Sequence, residues 1–159
     1  MKKLVVFRFL LVTLILALMM PAAFAQADQG TPLAKTAPPP NDFSILTVFD
    51  PDYLYLENGR PYIFSDGDNK VRIAGDTLGT IRVDEIGVML TLQRWTGSAW
   101  IDVFFGGSVT DTDSAYIYSS NSNLEVESGY YYRTKSYHWI EEGSTTEDGY
   151  RYSNNYLVP

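Results

Sequence analysis

The stretch Arg94-Trp95-Thr96-Gly97-Ser98-Ala99-Trp100 sets two indoles on either side of a four-residue turn sequence. Facing each other across strand ends, Trp95 and Trp100 would make a flat apolar platform for a sugar ring or another planar group. The same pair could simply pin the hairpin tip, since a cross-strand aromatic contact contributes about 0.2–1 kcal/mol. A second aromatic concentration runs from Ser128 to Gly143, SGYYYRTKSYHWIEEG. Strand alternation puts Tyr131, Arg133, Lys135, Tyr137 and Trp139 on one face and Tyr130, Tyr132, Thr134, Ser136 and His138 on the other. Two cations mark the first face as the one that meets solvent. Trp95, Trp100, Tyr131, Tyr137 and Trp139 are therefore the candidate ligand contacts.

Chemistry beyond binding has little to build on. His138 is the only histidine and no serine stands in a Gly-x-Ser-x-Gly setting, so a serine-hydrolase arrangement has a single available base and no nucleophile elbow. A histidine near a strand end is the simpler description of His138. The acidic pairs Glu141-Glu142 and Glu147-Asp148 fall where a solvated loop is expected. Asp66-Gly67-Asp68-Asn69-Lys70 begins like a calcium loop, but Lys70 and Thr77 stand at the fifth and twelfth places, where ligands belong. Asp111-Thr112-Asp113 could serve a site between loops, yet aspartate is also a common turn residue. Gly75-Asp76-Thr77-Leu78-Gly79 has glycines but no helix after it to hold a phosphate. The expectation is no catalytic residue, no metal ligand and no cofactor.

What must position the aromatics is a set of strands. If the four-residue loop pairs Trp95 with Trp100, the antiparallel register pairs Leu92 with Val103 and Leu90 with Phe105 on an aliphatic face that Ile86 and Val88 extend. The mixed face takes Gln93 with Asp102 and Thr91 with Phe104. Turn signals at Glu57-Asn58-Gly59, Asp66–Asn69, Thr96-Gly97, Gly106-Gly107, Ser120–Asn123, Glu142-Gly143 and Asp148-Gly149 punctuate the rest, and no helical stripe interrupts it. The pattern predicts an all-β domain over residues 43–159, a single antiparallel β-sandwich of about seven strands. Leu90, Leu92, Val103, Phe105 and Tyr130 are its expected interior.

The start of the chain is different in kind. Lys2, Lys3 and Arg8, an apolar run from Phe9 to Met20, and Ala23-Phe24-Ala25 before Gln26 read as a cleaved signal peptide over residues 1–25. Residues 26–42, with Pro32 and the run Pro38-Pro39-Pro40, read as a Pro-rich disordered or semi-stiff linker. Cleavage leaves nine basic side chains against nineteen acidic ones, a formal charge of −10. Such a chain repels nucleic acid and anionic membrane. Cysteine is absent, so neither a disulfide nor a thiol-linked lipid is available. The final residues, NNYLVP, carry no apolar sorting tail, which leaves release or loose retention at the cell wall.

Two resemblances follow from these strings. LEVESGYYYRTKS resembles the strand start of immunoglobulin-like and fibronectin type III domains, which implies Leu124 and Tyr130 as a corner pair; the cysteines of antibody domains are missing. IRVDEIGVMLTLQRWTGSAWIDV with SGYYYRTKSYHWIEEGSTTED resembles a family of small exported Gram-positive (Firmicute) proteins described as a domain of unknown function, over roughly residues 52–155. That resemblance implies a secreted single-domain sandwich and carries over no catalytic residue. The expected function is a secreted, non-enzymatic binding module for a glycan, a cell-wall polymer or an extracellular protein. A structural or self-associating envelope protein is the alternative, and a carboxylate glycosidase is a distant third.

Overall fold

The computed structural model describes residues 33–40 and 49–159; the expected signal peptide and part of the expected linker lie outside the described residues. Residues 31–159 belong to one compact unit. The described residues form an all-β, antiparallel fold. β1 is Leu56–Ser65, β2 Lys70–Trp95, β3 Trp100–Glu125, β4 Tyr131–Glu142, β5 Thr145–Tyr152 and β6 Tyr156–Leu157. All pair in one sheet, ordered β1-β2-β4-β5, with β3 also beside β2 and β6 beside β4.

Where the turn signals predict about seven short strands in two sheets, the described residues make six, and two of these run for 26 residues each. Four of the seven signals lie inside strands. Asn58-Gly59 makes a register shift in β1, Gly106-Gly107 falls at one in the β2–β3 ladder, Ser120–Asn123 belongs to β3, and Asp148-Gly149 belongs to β5. The true turns are Asp66–Asn69, where Gly67 and Asn69 take positive φ, and Thr96–Ala99, where Gly97 has φ 101°. Gly143 turns the β4–β5 hairpin at φ 57°.

β2 does the work of two strands. Its first part lies between β1 and the end of β3, its second between β4 and the start of β3, and the ladder breaks between Leu78 and Val83. The break reverses the facing of its side chains and folds the sheet over, so that Gly75 abuts the Leu90 and Val88 side chains. The Thr77 hydroxyl donates to the Gly87 carbonyl at 2.9 Å, joining the two parts of one strand across the interior. Between the two layers lies the core, with Ile73, Ile86, Val88, Leu90 and Ile140 fully buried.

The β2–β3 hairpin departs from the expected register. Trp95 opposes Trp100 and Gln93 opposes Asp102 as predicted, but a bulge at Val103 then pairs Leu92 with Phe104 and Thr91 with Phe105. One extra residue exchanges the faces of everything beyond it. Leu90 and Leu92 are interior, whereas Val103 is 42% and Phe105 65% exposed, and Thr91 and Gln93 are buried on the opposite face. Tyr130 is only partly buried against the core. The tyrosine hydroxyl that reaches back to the preceding loop belongs to buried Tyr132, which accepts the Glu127 amide at 3.0 Å, and not to the expected Tyr130.

Candidate functional site

The second part of the folded sheet turns one face outward. Across it, antiparallel register places Gly87, Met89, Thr91 and Gln93 of β2 beside Trp139, Tyr137, Lys135 and Arg133 of β4. β5 then brings Tyr150 beside Tyr137 and Tyr152 beside Lys135. Strand alternation therefore collects every second side chain of three strands into a row.

The row is continuous. Tyr137 stacks on Trp139 at 5.5 Å between centroids and meets Tyr150 at 4.9 Å. The Lys135 ammonium stands 4.8 Å over the Tyr150 ring. The Arg133 guanidinium lies 4.3 Å from the Tyr152 ring centre and 4.2 Å from that of Trp100, and Trp100 meets Trp95 at 5.4 Å. From Trp139 to Arg133 the row covers about 20 Å at strand rise. Four of the five predicted contacts, Trp95, Trp100, Tyr137 and Trp139, thus share one row. Tyr131 is half-buried at the start of β4, opposite Leu157 of β6.

The residues differ in what they offer. Tyr150 is 44% exposed, and Tyr137, Trp139, Tyr152 and Trp100 are half-buried. Trp95 is buried, with its indole N–H donating to the Ala37 carbonyl at 3.1 Å. Arg133, expected toward solvent, is buried and donates from Nε to the Gln93 amide oxygen at 2.8 Å. Gln93 in turn donates to Asp102. Trp139 is held by its N–H on Glu85 at 3.0 Å and by bare backbone at Gly87, where a Cβ would lie 2.0 Å from the indole. Burial, then Asp148, pushes the Tyr137 phenol above its ordinary pKa, so it stays a neutral donor.

A second outward face, on the first part of the sheet, was missed from sequence. Arg60 grips Asp76 through two bonds of 2.9 Å, and Asp76 is buried beneath the surface. Tyr62 and Phe64 stack beside them at 5.9 Å, with the Arg72 guanidinium 4.8 Å from the Phe64 ring centre. Tyr116 and Tyr118 add rings that are about half exposed. The alternation Arg60, Tyr62, Phe64 was the available signal. Reading Asn58-Gly59 as a turn concealed it.

The groups considered for catalysis have structural partners. His138 is wholly buried, with Nδ1 2.8 Å from the Thr77 hydroxyl and Nε2 2.6 Å from that of Ser136. Because Thr77 donates to Gly87, Nδ1 carries the proton and Ser136 donates to Nε2. The Ser136–His138 contact resembles an activated nucleophile, but both residues are wholly buried, beyond reach of a substrate. Burial, then Arg151, lowers the His138 pKa to about 3. Glu147, expected in a solvated loop, is instead a buried residue of β5 accepting the amides of Leu54, Tyr55 and Leu56. Asp66 accepts the Asn123 amide, and Asp113 pairs with Arg82. Among the described residues no group of three or more metal-ligating side chains is gathered.

Between the two layers opens a separate cleft of about 420 Å³, walled by Leu92, Phe104, Leu124, Val126 and Tyr132. The Arg94–Glu127 pair supplies its polar side.

The chain matches no protein-family model, no curated protein and no solved structure.

Proposed function

We propose that this protein is an exported, non-enzymatic binding module that holds an extended glycan or cell-wall polymer along the outward row of β2, β4 and β5. The observation that carries this reading is the row itself: Trp139, Tyr137, Tyr150, Tyr152 and Trp100 in succession, spaced by Lys135 and Arg133. Rings repeating at every second strand position, about 7 Å apart, suit a linear chain of pyranose rings, whose C–H faces stack on aromatics. The cations and tyrosine hydroxyls are donors for sugar hydroxyl and carboxylate oxygens. The signal sequence and the resemblance to exported Gram-positive domains support a site of action outside the cell. The folding of one sheet into two layers supports reading the domain as a small sandwich.

Glycan-array and wall-sedimentation assays on residues 26–159, run beside Tyr150→Ala and Tyr137→Ala, test the reading. Binding by the parent that the folded variants lose at least tenfold is the expected result. No binding by the parent to any wall polymer or polysaccharide would overturn it and favour a self-associating envelope protein, for which the long outer edge of β3, exposing Ile101, Val103, Phe105 and Val109, is the specific observation.

A further inference from the structure

One end of the aromatic row is covered by the chain's own N-terminal segment. Residues 33–40 cross the end of the β2–β3 hairpin, and several independent contacts hold them. The Lys35 amide donates to the Gly129 carbonyl at 2.7 Å. Thr36 lies over the turn, its methyl 3.6 Å from where a Cβ on Gly97 would stand. The Ala37 carbonyl receives the Trp95 indole N–H, and Pro39 is buried. The Lys35 ammonium stands 5.0 Å over the Tyr130 ring.

This is the chemistry by which aromatic grooves take proline-rich peptides. Proline fixes its own φ and pushes the residue before it into extended backbone, so Ala37-Pro38-Pro39-Pro40 is pre-extended and loses little entropy on docking. An indole N–H donated to a carbonyl immediately before a proline run reads that backbone without needing any particular side chain. The receiving side is shaped for a close approach. Gly129 has φ 80°, and a Cβ there would lie 2.9 Å from the Lys35 side chain and 3.2 Å from the Leu33 carbonyl oxygen.

We infer that the Trp95 end of the sheet is a peptide-binding groove for extended, proline-containing segments, and that Leu33–Pro40 is its resident ligand, held in cis and exchangeable. Only residues 41–48 separate the segment from Phe49. A tether of that length gives an effective concentration of about a millimolar or more. The groove is thus closed to free peptide while its own segment is seated, and opens when that segment is loosened.

The test needs no sugar, so its outcome is independent of the glycan reading. The chain 26–159 is compared with its Pro38→Gly/Pro39→Gly/Pro40→Gly variant, folding being checked by circular dichroism. The variant's tryptophan emission should shift to the red as Trp95 meets water. A synthetic peptide of residues 33–40 should bind the variant at least tenfold more tightly than it binds the unaltered chain, and restore the emission. Adding Trp95→Phe to the variant, which keeps a ring but removes the N–H, should weaken peptide binding about fivefold or more, as loss of one hydrogen bond does. A folded variant that binds no peptide at millimolar concentration would overturn the inference. Equal peptide affinity for the variant and the unaltered chain would do so too, because the peptide would then be seated elsewhere.

Discussion

The imidazole of His138 lies directly on the backbone of Gly59: a Cβ at position 59 would stand 2.6 Å from three atoms of the ring. The ring cannot retreat, being hydrogen-bonded at both nitrogens and fully buried. Glycine at 59 is thus what lets β1 close over β4. Gly59→Ala should cost about 1–3 kcal/mol by overpacking. In a double-mutant cycle by urea denaturation, His138→Ala should remove most of that cost, since the obstacle is the ring itself. Additive losses would mean that Gly59 matters for its backbone alone.

His138 also makes stability depend on pH. Its folded pKa, about 3, lies below the ordinary value of 6.5. Between those values the unfolded chain binds a proton that the folded chain refuses, so stability is full above about pH 7 and falls as pH drops. The slope approaches 1.4 kcal/mol per pH unit below the unfolded value. Denaturation midpoints from pH 7 to pH 5 should fall for the parent and stay flatter in His138→Phe. Parallel curves would assign the dependence to other groups.

Glu147 organises the approach to β1. Its carboxylate accepts three successive amides, from Leu54 at 2.7 Å, Tyr55 at 2.9 Å and Leu56 at 2.7 Å. A carboxamide offers one acceptor oxygen and turns its N–H₂ toward amides. Glu147→Gln should therefore cost about 2–4 kcal/mol despite its similar size. Hydrogen exchange at Leu54–Leu56 should accelerate in step; unchanged protection there would refute the assignment.

The candidate site has a backbone probe in Gly87. Gly87→Ala places a methyl against the Trp139 indole and forces that ring out of the row. Glycan binding should fall at least tenfold while Leu90 and Leu92, on the other face, stay buried. Undiminished binding in the folded variant would exclude Trp139 from the contact surface.

The hairpin separates what sequence showed from what it concealed. Leu92→Ala should cost about 2–5 kcal/mol and Phe105→Ala less than about 1. From alternation alone both residues were expected inside. Patterning identified the all-β class, the Thr96–Ala99 turn and the shared face of Tyr137 and Trp139, because each depends on local spacing. It could not show the bulge at Val103, which changes parity without any glycine or proline to announce it. Nor could it show the break after Leu78, which makes one strand serve two layers. Arg133 looked solvent-facing by its charge, but its partners Gln93, Trp100 and Tyr152 come from three other strands. The face of Arg60, Tyr62 and Phe64 stayed hidden behind a glycine that serves His138 and not a turn.

The hydrogen bond from Thr77 to Gly87 has a kinetic consequence. Since both layers are parts of one hairpin, neither can detach as a separate unit; opening either exposes the inner surface of the other. The amides near Thr77 and those near Gly87 should then exchange with solvent through a common, global opening, without a partly folded species in which one layer survives. Assembly has a preferred direction. The short Thr96–Ala99 turn closes early, the ladder zips away from it, and folding over at Leu78–Val83 is the slow, long-range step that commits the chain.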